Sequence, residues 1–210
     1  MVTLVLGSEA VCSDGYRGEL QAVVLDPAAG TVTHLVVEPQ GRVGLARLVP
    51  LDLVDATPDG TRLRCTEAEF QDLAAAEQTL AEFVLGVQVP VQLLPPGWRA
   101  ADGPVTEGAA IPRIPEKETI DVVPEGEVEE RRGGHVHATD GDVGLLRALR
   151  IDPASRQVTH VLVRGGHLLA RKDVAIPFSS LTGFEDGIQL SITRQQVHDL
   201  PPADSEPSAR

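Results

Sequence analysis

The sequence is poor in aromatic residues, which make up 3% of its 210 residues, and it has two cysteines. Its hydrophobic cores must therefore be filled mainly by Val, Leu, Ile and Ala, which suits small domains of short strands. Long apolar runs are also missing, because the longest, residues 83–94, is interrupted by Gly86 and Pro90. We expect no membrane span, and no signal peptide, since no basic region precedes the first apolar residues.

Basic residues are scarce as well. The chain has 18 Lys and Arg against 31 Asp and Glu, a net charge of −13. This excess of acid repels phosphate backbones and anionic membrane surfaces, so nucleic acid is not the expected partner. The charge is uneven, because residues 1–74 carry 5 basic and 11 acidic side chains whereas residues 135–210 carry 8 and 9. The C-terminal copy is nearly neutral.

Motifs for common chemistry are also absent. The chain has no G-x-x-x-x-G-K-[ST], no G-x-G-x-x-G and no G-x-S-x-G. These patterns mark the commonest nucleotide-binding and hydrolase sites, so we expect a non-enzymatic protein without a cofactor. Cys12 and Cys65 are replaced by Ala138 and Ile192 in the repeat described below, which indicates buried, reduced thiols and a cytoplasmic location. The alternative is a disulfide between the two.

The sequence does contain an internal repeat. SDGYRG (13–18) aligns with TDGDVG (139–144) at an offset of 126 residues. The same offset aligns LDPAAGTVTHLVV (25–37) with IDPASRQVTHVLV (151–163) without a gap. One inserted residue then raises the offset to 127 in the remainder of each copy. The chain is therefore predicted to be a tandem duplication.

Each copy is predicted to be β-rich with a short helix at its end. Asp14–Gly15 and Asp140–Gly141 have the chemistry of tight turns between antiparallel strands. TEAE (66–69) and TRQQ (193–196) have the S/T-x-x-E/Q spacing of a helix N-terminus, in which side chains cap the first amides. We expect a capped helix to close each copy.

Three of these motifs together resemble the PRC-barrel family: the D-G-x-x-G turn, the D-P-x-x-x-x-V-T-H strand, and the I-P or V-P step before a closing D-G. The second copy is the closer match, through RGGHLLARKDVAIPFSSL (164–181). The resemblance implies two small, strongly bent antiparallel β-barrels of about six strands each. It also implies that the chain docks another macromolecule.

A composition change separates the two copies. The segment between them, residues 84–126, holds seven prolines and five glycines together with many acids, which is typical of a linker. Within it, residues 87–93 and 119–123 alternate in polarity and are predicted to add strands to a barrel edge. The predicted organisation is a first barrel over residues 1–83, a linker over 84–126, a second barrel over 127–201 and a disordered tail over 202–210.

The partner site is predicted in the loop between Gly165 and Asp173. Loops on rigid barrels carry recognition, and this loop is basic on an acidic protein. We expect it to bind a protein partner whose identity the sequence does not give. The alternative is RNA- or ribosome-associated binding through the C-terminal copy, aided by Arg147, Arg150 and Arg164. The candidate partner-binding residues are His167, Leu168, Leu169, Arg171 and Lys172.

Two charge reversals distinguish the copies. Glu38 aligns with Arg164, and Glu67 aligns with Arg194. Because complementary charges can pair the barrels, we expect a pseudo-two-fold pairing within the chain or a homodimer. The alternative is that all four are solvated surface charges.

The histidines are expected to be structural. His34 and His160 recur at equivalent positions and share strand parity with apolar neighbours, which favours packed, hydrogen-bonded side chains. No Cys or acid completes a recognisable ligand spacing with the other histidines, so no metal site is predicted. These other histidines are His135, His137, His167 and His198.

Overall fold

The computed structural model describes residues 1–41, 45–57, 60–82, 88–90, 117–165 and 173–203. Strands dominate both copies, so the all-β prediction is confirmed. Across these described ranges, no helix has the length and apolar character needed to cross a membrane.

The two copies contain the same series of elements. In the first copy these are β1 (Val2–Val5), β2 (Glu9–Val11), β3 (Arg17–Asp26), β4 (Thr31–Pro39), β5 (Arg47–Pro50), β6 (Val54–Thr57), β7 (Gly60–Leu63) and α1 (Glu67–Asp72). Between the copies lie β8 (Glu77–Glu82), β9 (Gln88–Pro90) and β10 (Lys117–Asp121). In the second copy they are β11 (Val128–Arg131), β12 (His135–Ala138), β13 (Gly141–Ile151), β14 (Val158–Gly165), β15 (Asp173–Pro177), β16 (Leu181–Gly183), β17 (Ile188–Leu190) and α2 (Arg194–His198).

The two main sheets have the same strand order. The first runs β5-β4-β3-β2-β7-β6 and the second runs β15-β14-β13-β12-β17-β16. The long strands β3 and β13 each carry two register shifts at equivalent places, which bend the sheets. Each order is an open path, because the described strands at its two ends are not hydrogen-bonded to each other. The sheets are therefore bent and β-rich without the hydrogen-bonded closure of a barrel.

The N-terminal strand of each copy joins the sheet of the other copy. β1 lies antiparallel to β13, with Leu4 opposite Leu149. β11 lies antiparallel to β3, with Glu130 opposite Val23. Each residue of the second pairing lies 126 positions from its counterpart in the first. This reciprocal strand exchange builds both sheets from residues of both copies.

One hydrophobic cluster runs through both copies. It includes Leu4 and Val23 from the first copy together with Leu149 from the second. The end helices close it with Phe70 of α1, which is 1% exposed, and Val197 of α2, which is 0% exposed. Because the exchanged strands bury apolar residues of the two copies against each other, the copies share a core.

Both end helices begin with the predicted caps. The Thr66 hydroxyl accepts from the Glu69 amide, and the Thr66 amide donates to the Glu69 carboxylate at 2.8 Å. The Thr193 hydroxyl and the Gln196 side chain make the same reciprocal pair at the start of α2. These capping boxes are confirmed.

The segment between the copies covers part of the first sheet. β8 pairs with β10 along one edge and β9 along the other, so the strands predicted in the linker form a sheet with β8. Ala76 and Val123, on either side of this small sheet in the chain, pack on the outer face of β3 to β5. In the second copy Ala203 packs on the equivalent face, against Ala148 and Leu162.

Candidate functional site

The two copies meet at their equivalent hairpin turns. Thr31 and Gln157 form an isolated antiparallel bridge. The Val32 amide donates to the Arg156 carbonyl at 3.1 Å, and the Val158 amide donates to the Gly30 carbonyl at 2.8 Å. Each bond maps onto the other when residue numbers shift by 126. A pseudo-two-fold axis therefore passes between the two turns.

The chain crosses from one sheet to the other just after each exchanged strand. The Leu6 amide donates to the Arg147 carbonyl of β13 at 2.9 Å, and the next amide, Gly7, donates to the Leu20 carbonyl of β3 at 2.6 Å. Consecutive residues thus bond to different sheets. The equivalent bonds in the second crossing run from Arg132 to Gln21 at 3.1 Å and from Gly133 to Leu146 at 3.0 Å.

Ion pairs also join the copies. Arg156 in the second-copy turn pairs with Asp52, which follows β5. Arg132, at the end of β11, has its Nη1 3.5 Å from a carboxylate oxygen of Glu19 in β3. These side chains are 45–72% exposed, so water and salt screen the attraction. They add little to the backbone and core contacts.

His34 lies beside the base of β11. Its Nδ1 is 3.1 Å from the Thr33 hydroxyl and 3.7 Å from the Glu127 carboxylate. The Thr33 hydroxyl donates to Glu127 at 2.5 Å. All three side chains are partly buried, so the expectation of a packed, hydrogen-bonded His34 is confirmed. This histidine helps to hold the residue that leads into the exchanged strand.

The predicted partner loop is only partly described. His167, Leu168, Leu169, Arg171 and Lys172 all lie outside the described residues. At the two borders of the loop, Arg164 Nε lies 3.3 Å from Asp173, and Arg147 also pairs with Asp173. The Asp173 carboxylate thus contacts two arginines and links the two borders of the loop.

The four charge-reversal residues make contacts inside their own copies. Glu38 accepts from Gln21 at 3.3 Å, and Arg164 pairs with Asp173 as described above. Glu67 accepts from the Gln71 amide group at 2.8 Å, and Arg194 lies 3.7 Å from Asp140. The copies pack together through strand exchange, and the role of these charges in that packing stays a prediction.

The side chains beside the two crossing points differ in chemistry. A cleft of about 350 Å³ in the first copy is lined by three carboxylates, Glu9, Glu19 and Glu38, and by Gln21. Alignment at offset 126 puts His135, Leu145, Arg147 and Arg164 at the equivalent positions of the second copy. An acidic face in one copy therefore corresponds to a basic face with an exposed leucine in the other, since Leu145 is 43% exposed.

The remaining histidines do not assemble a metal centre in the part of the chain that is described. His135 Nδ1 lies 2.8 Å from Asp142, and the rings of His135 and His137 stack with centroids 5.8 Å apart. His198 lies 3.6 Å from Asp199. Among the described residues, no group of three or more His, Cys, Asp or Glu side chains is placed to hold a metal ion.

Both cysteines are buried free thiols, as the repeat alignment predicts. Burial, together with the neighbouring Cys65, raises the pKa of Cys12 to about 12. Burial also raises the pKa of Cys65. Because the reactive thiolate is disfavoured at both positions, these cysteines behave as small apolar core residues.

The turn aspartates have a role that sequence reasoning missed. Asp14 accepts from the Glu67 amide at 2.8 Å, and Asp140 accepts from the Arg194 amide at 2.8 Å. Each carboxylate thus binds the first turn of its end helix, which lowers the pKa of Asp14. The signal in the sequence was that the D-G turn and the capping threonine recur together in both copies.

Comparison with models of known protein families and with curated protein sequences gave no match. The resemblance to PRC-barrels therefore rests on the motifs and their repetition.

Proposed function

We propose that this chain is a non-enzymatic, cytoplasmic protein-interaction module built from two PRC-barrel-like copies. The observation that carries the proposal is the contrast between the side chains beside the two crossing points. The backbone is repeated around a pseudo-two-fold axis, whereas these side chains are not. Residues that serve the fold are repeated in both copies, so the differing residues are the ones available for a partner.

The surface of the second copy around Leu145 is the proposed partner face. Leu145 offers an exposed apolar anchor, which is uncommon on β13, where most other apolar side chains are buried. Arg147 and Arg164 flank it and share Asp173, so two cations face one carboxylate. An exposed apolar side chain beside arginines that are already paired suits a protein segment that packs an apolar side chain against Leu145.

The contacts of the arginines favour a protein partner over RNA. Arg147 and Arg164 pair with Asp173, and Arg150 donates to the Ala203 carbonyl at 2.6 Å. RNA binding by a basic patch depends on cations that can neutralise phosphates. These three arginines, which supported the RNA alternative, already have protein partners on an acidic molecule.

Affinity capture with variants tests the proposal. The full chain, a Leu145→Asp variant and an Arg171→Gln/Lys172→Gln variant are used as baits in native lysate. We expect one or more proteins bound by the full chain to be lost with both variants and to survive nuclease treatment. The matched control is Glu9→Gln/Glu38→Gln in the acidic cleft, which should retain the same proteins.

Two results would overturn the proposal. Retention of every captured protein by both C-terminal variants would show that this face does not bind them. Binding that disappears with nuclease and with moderate added salt would assign the face to RNA, because phosphate contacts are strongly salt-dependent.

A further inference from the structure

The two exchanged strands differ at one buried position. Glu130 in β11 and Leu4 in β1 are equivalent in the repeat and in strand register. Glu130 is 5% exposed and Leu4 is 0% exposed. A carboxyl group therefore occupies a place that a leucine fills in the symmetrical strand.

The residue opposite Glu130 in the neighbouring strand is apolar. Val23 of β3, itself fully buried, lies directly opposite. After β11, the chain brings Gly134 so close that a Cβ atom there would lie 3.4 Å from Glu130 Oε2. Among the described residues, no hydrogen bond or ion pair reaches this carboxyl. Burial, with a smaller contribution from the Glu129 carboxylate on the same strand, raises the pKa of Glu130 to about 7.

The other charged groups around β11 are engaged with one another. Glu129 lies 2.7 Å from Arg131 Nε on the same strand. At the end of the strand Arg132 pairs with Glu19 of β3, and before its start Glu127 contacts Thr33 and His34 of β4. In the described part of the chain, no cation compensates an ionised Glu130.

We propose that β11 is a proton-controlled arm, docked on β3 while Glu130 is a neutral acid and released from β3 when Glu130 ionises. β1 remains on β13, because Leu4 carries no charge at any pH. Release frees the edge of β3 over Ala22–Leu25, which β11 otherwise covers. It also removes one of the two strands that join the copies, so the junction loosens on one side.

The sign and the pH window follow from proton linkage. A group whose pKa is higher in the docked state holds its proton there more tightly. Between its ordinary value of 4.5 and about 7, the docked arm keeps a proton that the released arm has lost. Docking then weakens by about tenfold per pH unit and levels off above about pH 7. From pH 5 to pH 8 we expect roughly a hundredfold increase in the released population.

Native-state hydrogen exchange tests the arm within one molecule. Amide protection is measured at pH 5, 6, 7 and 8 and corrected for the intrinsic exchange rate. The amides of β1 serve as the internal control for those of β11. In the wild-type protein we expect protection of β11 relative to β1 to fall about a hundredfold across this range.

Two variants remove the titrating group. Glu130→Leu copies the residue of β1, and Glu130→Gln keeps the size and polarity of the side chain. In both, the ratio of β11 to β1 protection should be independent of pH, and in Glu130→Leu it should be higher than in the wild type at pH 8. A pH-dependent ratio that survives in both variants would contradict the proposal. An equal loss of protection in β1 and β11 would also contradict it, because the whole junction would then open together.

Discussion

The two copies place their few aromatic side chains in different parts of the same backbone. In the first copy Tyr16 and Phe70 pack at the end helix, with ring centroids 5.9 Å apart. In the second copy Phe178 and Phe184 pack near the junction, with centroids 6.5 Å apart. The repeat aligns Phe70 with Val197, so the second copy closes the same end with a smaller side chain.

This difference distinguishes the residues that specify the backbone from the side chains that fill the core. The turns, the bulges of the long strands and the capping boxes recur at equivalent positions. Side-chain volume, in contrast, shifts from the helix end of one copy to the junction end of the other. A core tolerates such redistribution when the total volume stays matched to the space available.

The largest expected difference in stability between the copies comes from the side chain that each end helix buries in the core. Phe70→Ala should lower the free energy of unfolding by about 3–5 kcal/mol, because it opens a large cavity in a fully buried site. Val197→Ala should cost about 2 kcal/mol, since fewer methyl groups are lost. Urea unfolding followed by circular dichroism measures both.

Each variant should unfold in a single transition with a midpoint at lower urea concentration, because the exchanged strands give the copies one core. Two separate transitions, with Phe70→Ala moving only one of them, would show that the copies unfold independently. If Phe70→Ala and Val197→Ala lowered the free energy of unfolding equally, the two helix ends would not differ in their contribution to stability.

Substitution in the first-copy turn at the junction should have the next largest effect on stability. Gly30 has φ +64°, and a Cβ atom there would lie 2.6 Å from Cε1 of Phe178. Gly30→Ala should therefore cost about 2–3 kcal/mol, combining backbone strain with a clash against an aromatic ring. Arg156, at the equivalent position, already adopts φ +62°. Thermal unfolding of purified protein measures the loss.

A second substitution separates the clash from the strain. Phe178→Leu places the residue type of Leu51, its counterpart in the first copy, beside the new methyl group. In the Gly30→Ala background it should restore part of the stability, whereas in the wild-type background it should only destabilise. If Phe178→Leu is equally harmful in both backgrounds, the ring does not limit this turn.

Much of each copy could be predicted from sequence, because its signals are local. A D-G turn or a T-x-x-E cap specifies structure within a few residues, and both caps were found where expected. The strand exchange could not be predicted in the same way. Val2 and Leu4 alternate with polar or exposed positions as they would on any half-buried strand, and this pattern does not reveal which sheet the strand joins.

The candidate site shows the same limit. Alignment of the copies found the charge differences that flank the crossing points, because they are visible position by position. It did not find the buried Glu130, since an acid in a short strand looks like an ordinary solvent-facing residue until its partner strand is known. Nor did it reveal that Asp14 binds the end helix, a contact between residues 53 positions apart.

The helix caps should give smaller and equal effects. Thr66→Ala and Thr193→Ala should each cost about 1 kcal/mol, because each removes one side of the same capping box. Thr→Ser variants, which keep the hydroxyl, serve as controls and should retain most of the stability. Costs that differ by more than about 1 kcal/mol would show that the caps are not equivalent in energy, despite their equal geometry.

The exposed ion pair at the junction should give the smallest effect. Asp52 is 72% exposed and Arg156 is 45% exposed, and the repeat places Ser179 and Gly30 at the equivalent positions, where no such pair can form. A double-mutant cycle with Asp52→Asn and Arg156→Ala should give a coupling energy below about 0.5 kcal/mol that disappears near 1 M salt. The cycle cancels any relief of backbone strain at Arg156, because that change occurs on both of its sides. A salt-resistant coupling above about 1 kcal/mol would mean that charge holds the copies together on this side as strongly as a helix cap holds its helix. A small value would leave the exchanged strands and their shared core as the source of the association.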